Sequence, residues 1–248
     1  MIRVAAFGDC HFAADAAGSL RPSLADLAEH ADVLLLAGDL TRVGTPEEAS
    51  VLAEELRDVG VPVAAVLGNH DYHSDRAKEV ADVLSEDAGV HVLEGTSVVL
   101  TTPSGATVGV AGVKGFGTGF PGAMCSDFGE PEMKAFVRHS HDAAEQLESA
   151  LASLPSSVDA RVALTHYAPV VDTLAGERLE IHPFLGSYHL AEAIDRAGAD
   201  LALHGHAHGG TEKGMTPGGV YVRNVAQPVI RAAYRVYCLD SDGVEACA

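Results

Sequence analysis

The sequence is short of positive charge, and this shortage narrows the classes of partner it can have. Its 248 residues contain 16 Lys and Arg against 35 Asp and Glu, a formal net charge of −19 at pH 7. Proteins hold long polyanions such as duplex DNA mainly through Lys and Arg, so a long nucleic-acid partner is not expected. A small phosphate ester remains an acceptable substrate, because bound divalent metal ions can supply local positive charge.

Cysteine and long apolar runs are also scarce. The four cysteines show no CxxC spacing and no disulfide framework, so we expect reduced thiols; they are Cys10, Cys125, Cys238 and Cys247. No apolar run approaches the roughly 20 residues of a membrane-spanning helix, and the one at residues 1–7 is too short for a signal peptide. The sequence predicts a soluble, cytoplasmic protein without a membrane partner and leaves the oligomeric state open.

Composition and length indicate one ordinary globular unit. Hydrophobic residues make up 47% and charged residues 21% of the chain, which is typical of a folded domain. A chain of 248 residues can bury one sizeable core but is short for two domains. We therefore expect a single domain over residues 1–248.

Short apolar runs alternate with helical patterns, which is typical of βαβ units around a largely parallel sheet. The runs predict strands at Ile2–Phe7, Asp32–Ala37, Pro62–Leu67, Arg161–Thr165 and Asp200–Leu203. Helices are predicted at Ser23–His30, Pro46–Val59, Ser74–Asp87, Pro131–Leu154 and Ser187–Ala197. Antiparallel strands are expected at Val90–Leu93, Thr96–Thr101 and Ala106–Ala111, an ordered loop at Gly112–Gly129, and a closing hairpin of Val220–Val225 with Arg231–Leu239.

Residues of types that commonly bind metals follow each of the five apolar strands in the βαβ units. They are Asp9 and His11 after the first, Asp39 after the second, Asn69 after the third, His166 at the end of the fourth, and His206 and His208 after the fifth. Ligands bind at the carboxyl ends of strands in open α/β sheets, so we expect these side chains to converge. Carboxylate, amide carbonyl and imidazole donors suit Zn, Mn and Fe. Seven donors are too many for one tetrahedral ion and suit two ions that share a carboxylate.

These donors stand in five motifs whose order resembles a known family. The motifs are Asp9-Cys10-His11, Gly38-Asp39, Gly68-Asn69-His70-Asp71, His166 and Gly205-His206-Ala207-His208. They resemble D-x-H, G-D, G-N-H-[DE], H and G-H-x-H of the calcineurin-like metallophosphoesterases. The cyclic-nucleotide phosphodiesterase-like branch is the most similar one, on the segments Asp39-Leu40-Thr41 with Gly44, Glu47-Glu48 and Val61-Pro62-Val63.

The resemblance implies both a fold and a division of the donors between two metal ions. The fold would be a four-layer α/β/β/α sandwich of two mixed sheets flanked by helices. One ion would be held by Asp9, His11, Asp39 and His208, and the other by Asp39, Asn69, His166 and His206, with Asp39 bridging. His70 would not bind metal but would sit near the phosphate and help the leaving group. Mn and Fe are the metals expected first, with Zn next.

The expected activity is hydrolysis of a small phosphodiester, with a cyclic nucleotide as one candidate. A hydroxide held between the two ions would attack the phosphorus. His70 would protonate the departing alkoxide or orient the phosphate. Asn69 would contact both metal and phosphate, and Arg42 would contact a phosphate oxygen.

Three other functions compete with the phosphodiesterase. A phosphomonoesterase acting on a small metabolite would use the same metal donors. A nuclease is disfavoured by the acidic charge balance. A non-catalytic scaffold that binds a protein partner would be expected to have lost donors, yet all seven are present.

Overall fold

The computed structural model describes residues 1–240 and 243–247. Its strands, in chain order, are β1 Ile2–Phe7, β2 Val33–Ala37, β3 Val63–Val66, β4 His91–Val92, β5 Thr96–Thr101, β6 Thr107–Val113, β7 Gly119–Phe120, β8 Ala123–Met124, β9 Ala160–Thr165, β10 Leu201–His204, β11 Lys213–Met215, β12 Tyr221–Asn224, β13 Arg235–Asp240 and β14 Gly243–Ala246. The helices are α1 Arg21–Leu24, α2 Leu27–His30, α3 Pro46–Leu56, α4 Ala77–Ala88, α5 Pro131–Ala152, α6 His182–Leu185, α7 Tyr188–Ala197 and α8 Gln227–Ile230. Short 3₁₀ turns lie at His70–Tyr72, Asp172–Leu174 and Leu179–Ile181.

Two six-stranded sheets form the centre of the fold, in the orders β14-β13-β1-β2-β3-β4 and β11-β12-β10-β9-β6-β5. In the first sheet β1 to β4 run parallel, while β13 and β14 are antiparallel to their neighbours. In the second sheet β6, β9, β10 and β12 run parallel, and β5 and β11 are antiparallel edge strands. Both sheets are therefore mixed, as the resemblance to the calcineurin-like family implies.

Alternating side chains of the central strands fill two cores at once. In β1, Val4 joins the core between the sheets, whereas Phe7 joins the core beneath the helices. This alternation follows from the pleat of a strand, which sends successive side chains to opposite faces. The helices α3 and α4 cover the outer face of the first sheet, and α5 and α7 cover that of the second. The result is the expected four-layer α/β/β/α sandwich.

The end of the chain departs from the predicted hairpin. β12 pairs with β10 and β11 in the second sheet, whereas β13 pairs with β1 and β14 in the first. The two strands therefore belong to different sheets, and β13 finds its partner β1 at the other end of the chain. Strand pairing between distant segments is not encoded in the local apolar pattern, which explains why the expected hairpin of Val220–Val225 with Arg231–Leu239 is wrong.

Two further segments differ from the sequence-based expectation. The helix expected at Ser23–His30 is divided into the short helices α1 and α2. The loop expected at Gly112–Gly129 begins later, because β6 continues to Val113, and it contains the small hairpin of β7 and β8. Because β6 extends to Val113, the next residue, Lys114, lies at the carboxyl end of this strand.

The expectation of reduced cysteines is wrong for one pair. Cys238 and Cys247 form a disulfide between β13 and the residue after β14, with a Cα–Cα distance of 5.7 Å. The antiparallel pairing of these strands brings the two cysteines together, because the backbone N–H of Cys247 donates to Val236 of β13. Cys10 and Cys125 carry free thiols.

The sequence also predicts that no helix of the chain crosses a membrane. Among residues 1–240 and 243–247, none of the helices is long and apolar enough to span a bilayer.

The core between the sheets gives a direct test of the layered packing. Leu35 of β2 is fully buried there, so Leu35→Ala should lower the free energy of unfolding by about 2–5 kcal/mol through lost contacts and a residual cavity. Val99 of β5 is 40% exposed, and Val99→Ala should cost less than about 1 kcal/mol. Chemical denaturation measures both values. Similar losses of unfolding free energy for the two variants would contradict the assignment of Leu35 to the core between the sheets.

Candidate metal centre

The proposed metal donors converge where the two sheets meet at the carboxyl ends of their parallel strands. Asp9 follows β1 of the first sheet, and its carboxylate accepts a hydrogen bond from the backbone N–H of His206, which follows β10 of the second. The Nδ1 atom of His166, at the end of β9, lies 2.8 Å from the carbonyl oxygen of Ala37 in β2. Polar contacts between the sheets therefore hold the loops that carry the donors.

Asp9, His11 and His208 form the first group of potential metal ligands. Their donor atoms all lie within 4.8 Å of one another. The Nε2 atom of His208 is 2.8 Å from a carboxylate oxygen of Asp9, and the rings of His11 and His208 are 5.5 Å apart. One carboxylate and two imidazoles at this spacing are a donor set suited to a divalent transition metal.

Asp39, His166 and His206 form a second group of the same kind. The Nε2 atom of His166 lies 3.3 Å from the Asp39 carboxylate and 3.0 Å from the amide oxygen of Asn69. Asp39 also faces the first group, because its other carboxylate oxygen is 3.9 Å from Nε2 of His11. The structure thus brings all seven predicted donors together, with Asp39 between the two groups.

His70 and Arg42, the other two predicted site residues, lie at the edge of this cluster. Nε2 of His70 is 4.0 Å from the Asp39 carboxylate, and the ring is 4.4 Å from that of His11. Nδ1 of His70 lies 2.8 Å from the carbonyl oxygen of Arg42. The contact between Arg42 and the site is thus made by its backbone, and its side chain is exposed.

The backbone is held in an unusual conformation at four of the donors. Asp9, His11, Asp39 and His206 have positive φ angles of 57°, 43°, 49° and 68°. Such angles are uncommon outside glycine, although Asp and His are among the residues that adopt them, and they carry a conformational cost. Each of these residues lies within four residues of a strand end, where the chain leaves the sheet.

Two glycines permit the close approach of the loops. A Cβ at Gly68 would overlap the carboxylate of Asp39, and a Cβ at Gly205 would overlap the carboxylate of Asp9. Any larger residue at either position would displace a metal donor. The glycines that open the G-N-H-[DE] and G-H-x-H motifs are therefore needed for steric reasons.

The charges of the centre are set by burial and by mutual pairing. Burial opposes the charge of His166, but the carboxylate of Asp39 outweighs it and raises the pKa of His166 to about 9. Burial also opposes the charge of Asp39, yet His166 holds its pKa below the usual range. Burial lowers the pKa of His206 to about 4 and lowers that of His11. Because metals bind neutral imidazole, His11 and His206 are ready ligands at neutral pH, whereas His166 gives up a proton when a cation binds.

Asp71, which the sequence pattern assigns to the local turn, connects two of the donor loops. Its buried carboxylate accepts from the backbone N–H groups of Leu40, Thr41 and Gly68 and from the hydroxyl of Thr41, at 2.6–3.1 Å. Leu40 follows the donor Asp39, and Gly68 precedes the donor Asn69. Asp71 therefore positions both donors without joining the cluster.

The structure adds two residues that the sequence reasoning missed. Lys114 follows β6, and its carbonyl oxygen accepts from the backbone N–H groups of His166 and Tyr167. The Tyr167 ring lies 4.5 Å from that of His206. The predicted strand ends at Ala111, so the sequence reasoning assigns Lys114 to the loop that follows. The continued apolar run to Val113 was the signal that could have placed Lys114 at a strand end.

A two-sheet sandwich with Asp, Asn and His donors at its strand ends belongs to the class of metal-dependent phosphoester hydrolases. The sequence profile described as calcineurin-like phosphoesterase matches residues 2–210. The chain is therefore a member of the calcineurin-like phosphoesterase family, whose members typically use a dinuclear metal centre. No curated protein sequence matches the chain.

Solved structures share this fold at low sequence identity. The phosphopantetheinyl hydrolase PptH from Mycobacterium tuberculosis has a TM-score of 0.68 at 18% identity, over 96% of each chain. GAP50, described as the anchor in the inner membrane complex of Plasmodium, has a TM-score of 0.62 at 12% identity, over 99% of this chain and 83% of that one. A Staphylococcus aureus protein assigned as a 5'-nucleotidase has a TM-score of 0.59 at 16% identity, over 99% and 53%. At such identities the likeness establishes the fold alone.

The positioning role of Asp71 predicts a loss of both stability and metal binding on substitution. Asp71→Asn replaces an oxygen that accepts hydrogen bonds with an amide N–H group that faces other donors. Each buried N–H left without an acceptor should lower the free energy of unfolding by about 1–3 kcal/mol. The control Asp75→Asn makes the same change at an exposed residue. Asp75 has a positive φ angle, a conformation that Asn tolerates. Denaturation and metal analysis should show a loss for Asp71→Asn only. Full stability and metal content in Asp71→Asn would remove Asp71 from this role.

Proposed function

We propose that the chain is a dinuclear metal-dependent phosphodiesterase that acts on a small substrate. The observation that carries the proposal is the place of Asp39, whose carboxylate lies close to His166 and His206 on one side and to His11 and His70 on the other. A shared carboxylate is what two neighbouring ions require. The acidic charge of the chain favours a small phosphate ester over a long nucleic acid.

The donor set divides naturally between two divalent ions. Asp9, His11 and His208 would hold one ion together with Asp39. His166, His206 and Asn69 would hold the other, also with Asp39. The contacts described above support this division, since each set of side chains is already gathered on its own side of Asp39. Mn and Fe are the preferred metals by ligand type, with Zn next.

Protein side chains at the rim complete the proposed chemistry. The ions, when bound, lower the pKa of a water molecule and stabilise charge on the phosphate. His70 is partly exposed beside Asp39, with Nδ1 facing the carbonyl oxygen of Arg42 and Nε2 facing the cluster. Because Nδ1–H donates to that carbonyl, His70 would protonate a departing alkoxide from Nε2 as the imidazolium and be left as the neutral imidazole. Asn69 orients the phosphate as well as binding metal, and the exposed Arg42 side chain contacts a phosphate oxygen.

A phosphomonoesterase is the second candidate. The same donors would serve it, and one solved neighbour of the same fold is assigned as a 5'-nucleotidase. A scaffold role is less favoured. GAP50 is described as an anchor, but this chain keeps the complete set of donors in mutual contact. The resemblance to the cyclic-nucleotide branch makes a cyclic nucleotide one candidate substrate, and a cytoplasmic location stays a prediction.

Metal removal tests the proposed activity. Chelator-treated protein should hydrolyse bis-p-nitrophenyl phosphate only after Mn²⁺ is restored, with a gain of about 10³-fold or more because metal ions supply several kcal/mol of stabilisation. Hydrolysis of the diester should exceed that of p-nitrophenyl phosphate. Faster turnover of the monoester would favour the second candidate. No turnover with Mn²⁺, Fe²⁺ or Zn²⁺, despite two bound ions, would favour a binding role.

A substitution at His70 tests the assignment of the proton donor. His70→Ala should leave metal content unchanged and lower turnover of an alkyl diester by about 10²-fold or more, because an alkoxide needs a proton to leave. The loss should be smaller for p-nitrophenolate, which leaves as an anion. The control His73→Ala, an exposed residue after the same 3₁₀ turn, should keep normal turnover. Unchanged hydrolysis of the alkyl diester by His70→Ala would exclude this role.

A further inference from the structure

A cavity of about 450 Å³ lies next to the metal centre, on the side of β3 and β6. Asn69 lines it, so one of the metal donors forms part of its wall. Tyr167 lines it too, and the same ring is 4.5 Å from His206. A phosphate held at the donors would therefore have this cavity beside it. The cavity is the natural place for the organic group attached to that phosphate.

Lys114 brings a positive charge to this cavity. Its backbone is fixed beside the metal centre by the N–H groups of His166 and Tyr167. Its ammonium lies over three aromatic rings that also line the cavity, at 5.1 Å from Tyr72, 5.2 Å from Phe116 and 5.3 Å from Tyr167. The electron-rich faces of these rings stabilise a cation without taking up its N–H donors.

The ammonium of Lys114 has donors to spare. Its one hydrogen-bond acceptor in the described residues is the carbonyl oxygen of Gly115, at 3.3 Å. Among those same residues, no carboxylate lies within 4.0 Å of it, although Glu94 also lines the cavity. The Glu94 carboxylate accepts from the hydroxyl of Tyr72 at 2.6 Å instead. An ammonium has three donors, so two remain for a ligand.

We propose that this cavity receives the alcohol part of the phosphoester and that Lys114 binds a carboxylate on that alcohol. The inference rests on the proposed function, because it places the scissile phosphate at the metal donors. The aromatic rings pack against the carbon skeleton of the alcohol. Lys114 is then a specificity-determining residue, and the substrate class is a phosphoester whose alcohol is a hydroxy acid.

The charges around the cavity favour a carboxylate over a second phosphate. Glu94 and Asp142 both line the cavity, and each repels a bound anion. A carboxylate carries a single negative charge, and its oxygens can accept from the remaining N–H donors of Lys114. A phosphate monoester carries close to two charges at neutral pH and would be repelled more strongly by both acidic residues.

Binding of two matched probes tests the proposal. 3-Phosphoglycerate and glycerol 3-phosphate share a three-carbon skeleton, and the first has a carboxylate where the second has a hydroxymethyl group. Calorimetric titration of the metal-loaded protein should give about tenfold or more tighter binding of 3-phosphoglycerate, as expected for a hydrogen-bonded ion pair. Lys114→Met and Lys114→Gln should bring the ratio of the two affinities close to about 1 by removing the charge, and Lys114→Arg should retain the preference.

A control variant separates this effect from net charge. Lys213 lies exposed on β11, so Lys213→Met removes the same charge elsewhere and should keep the preference. Three results would overturn the proposal. The first is equal affinity for the two probes in the unmodified chain. The second is a preference that survives in Lys114→Met, which would mean that the carboxylate binds the metals. The third is an equal loss of affinity for both probes in Lys114→Met, which would mean that Lys114 contacts the scissile phosphate.

The proposed function can fail independently of this inference. Protein that hydrolyses bis-p-nitrophenyl phosphate but does not prefer 3-phosphoglycerate overturns the role of Lys114 alone. Protein that prefers 3-phosphoglycerate but hydrolyses neither nitrophenyl ester overturns the hydrolase alone. If one Lys114 variant fails to fold, the other variants still report the ratio of affinities, and the absence of a preference in the unmodified chain overturns the proposal by itself.

Discussion

The buried carboxylate of Asp39 is the interaction around which the rest of the centre is arranged. Removing a carboxylate from water costs several kcal/mol unless charges and donors replace the lost hydration. Here the replacement comes from both sheets, since His166 follows β9 of the second sheet and the backbone N–H of His70 belongs to the loop after β3 of the first. The site therefore exists only where the two sheets meet, and packing between them and chemistry at their edge are linked.

The supporting shell explains how such an arrangement persists. Positive φ angles at Asp9, His11, Asp39 and His206 have a conformational cost. The cost is offset by fixed contacts, including the four donors gathered by Asp71 and the hydrogen bond from His206 to Asp9. Contacts within the protein therefore contribute to holding the donor loops in this conformation.

The sequence predicts the centre better than it predicts the surroundings. Apolar runs followed by Asp39 or Asn69 identify both the strands and the donors, because strand ends and metal ligands are local features of the chain. The pairing of β13 with β1 depends on contacts between distant segments. The disulfide of Cys238 with Cys247 is local and was missed because the strand β14, which pairs with β13, was not predicted. Lys114 was missed for a related reason, since its significance depends on β6 lying next to β9.

The long separation between donors has a consequence for biosynthesis. Asp9 and His206 contact each other across 197 residues of sequence, so neither sheet edge can offer a complete set of donors while the chain is still being made. A ribosome-bound fragment that ends before β9 holds only the donors of the first sheet, with Asp39 lacking its partner His166. The complete set of donors can therefore form only after β10 and the loop that follows it have left the ribosome.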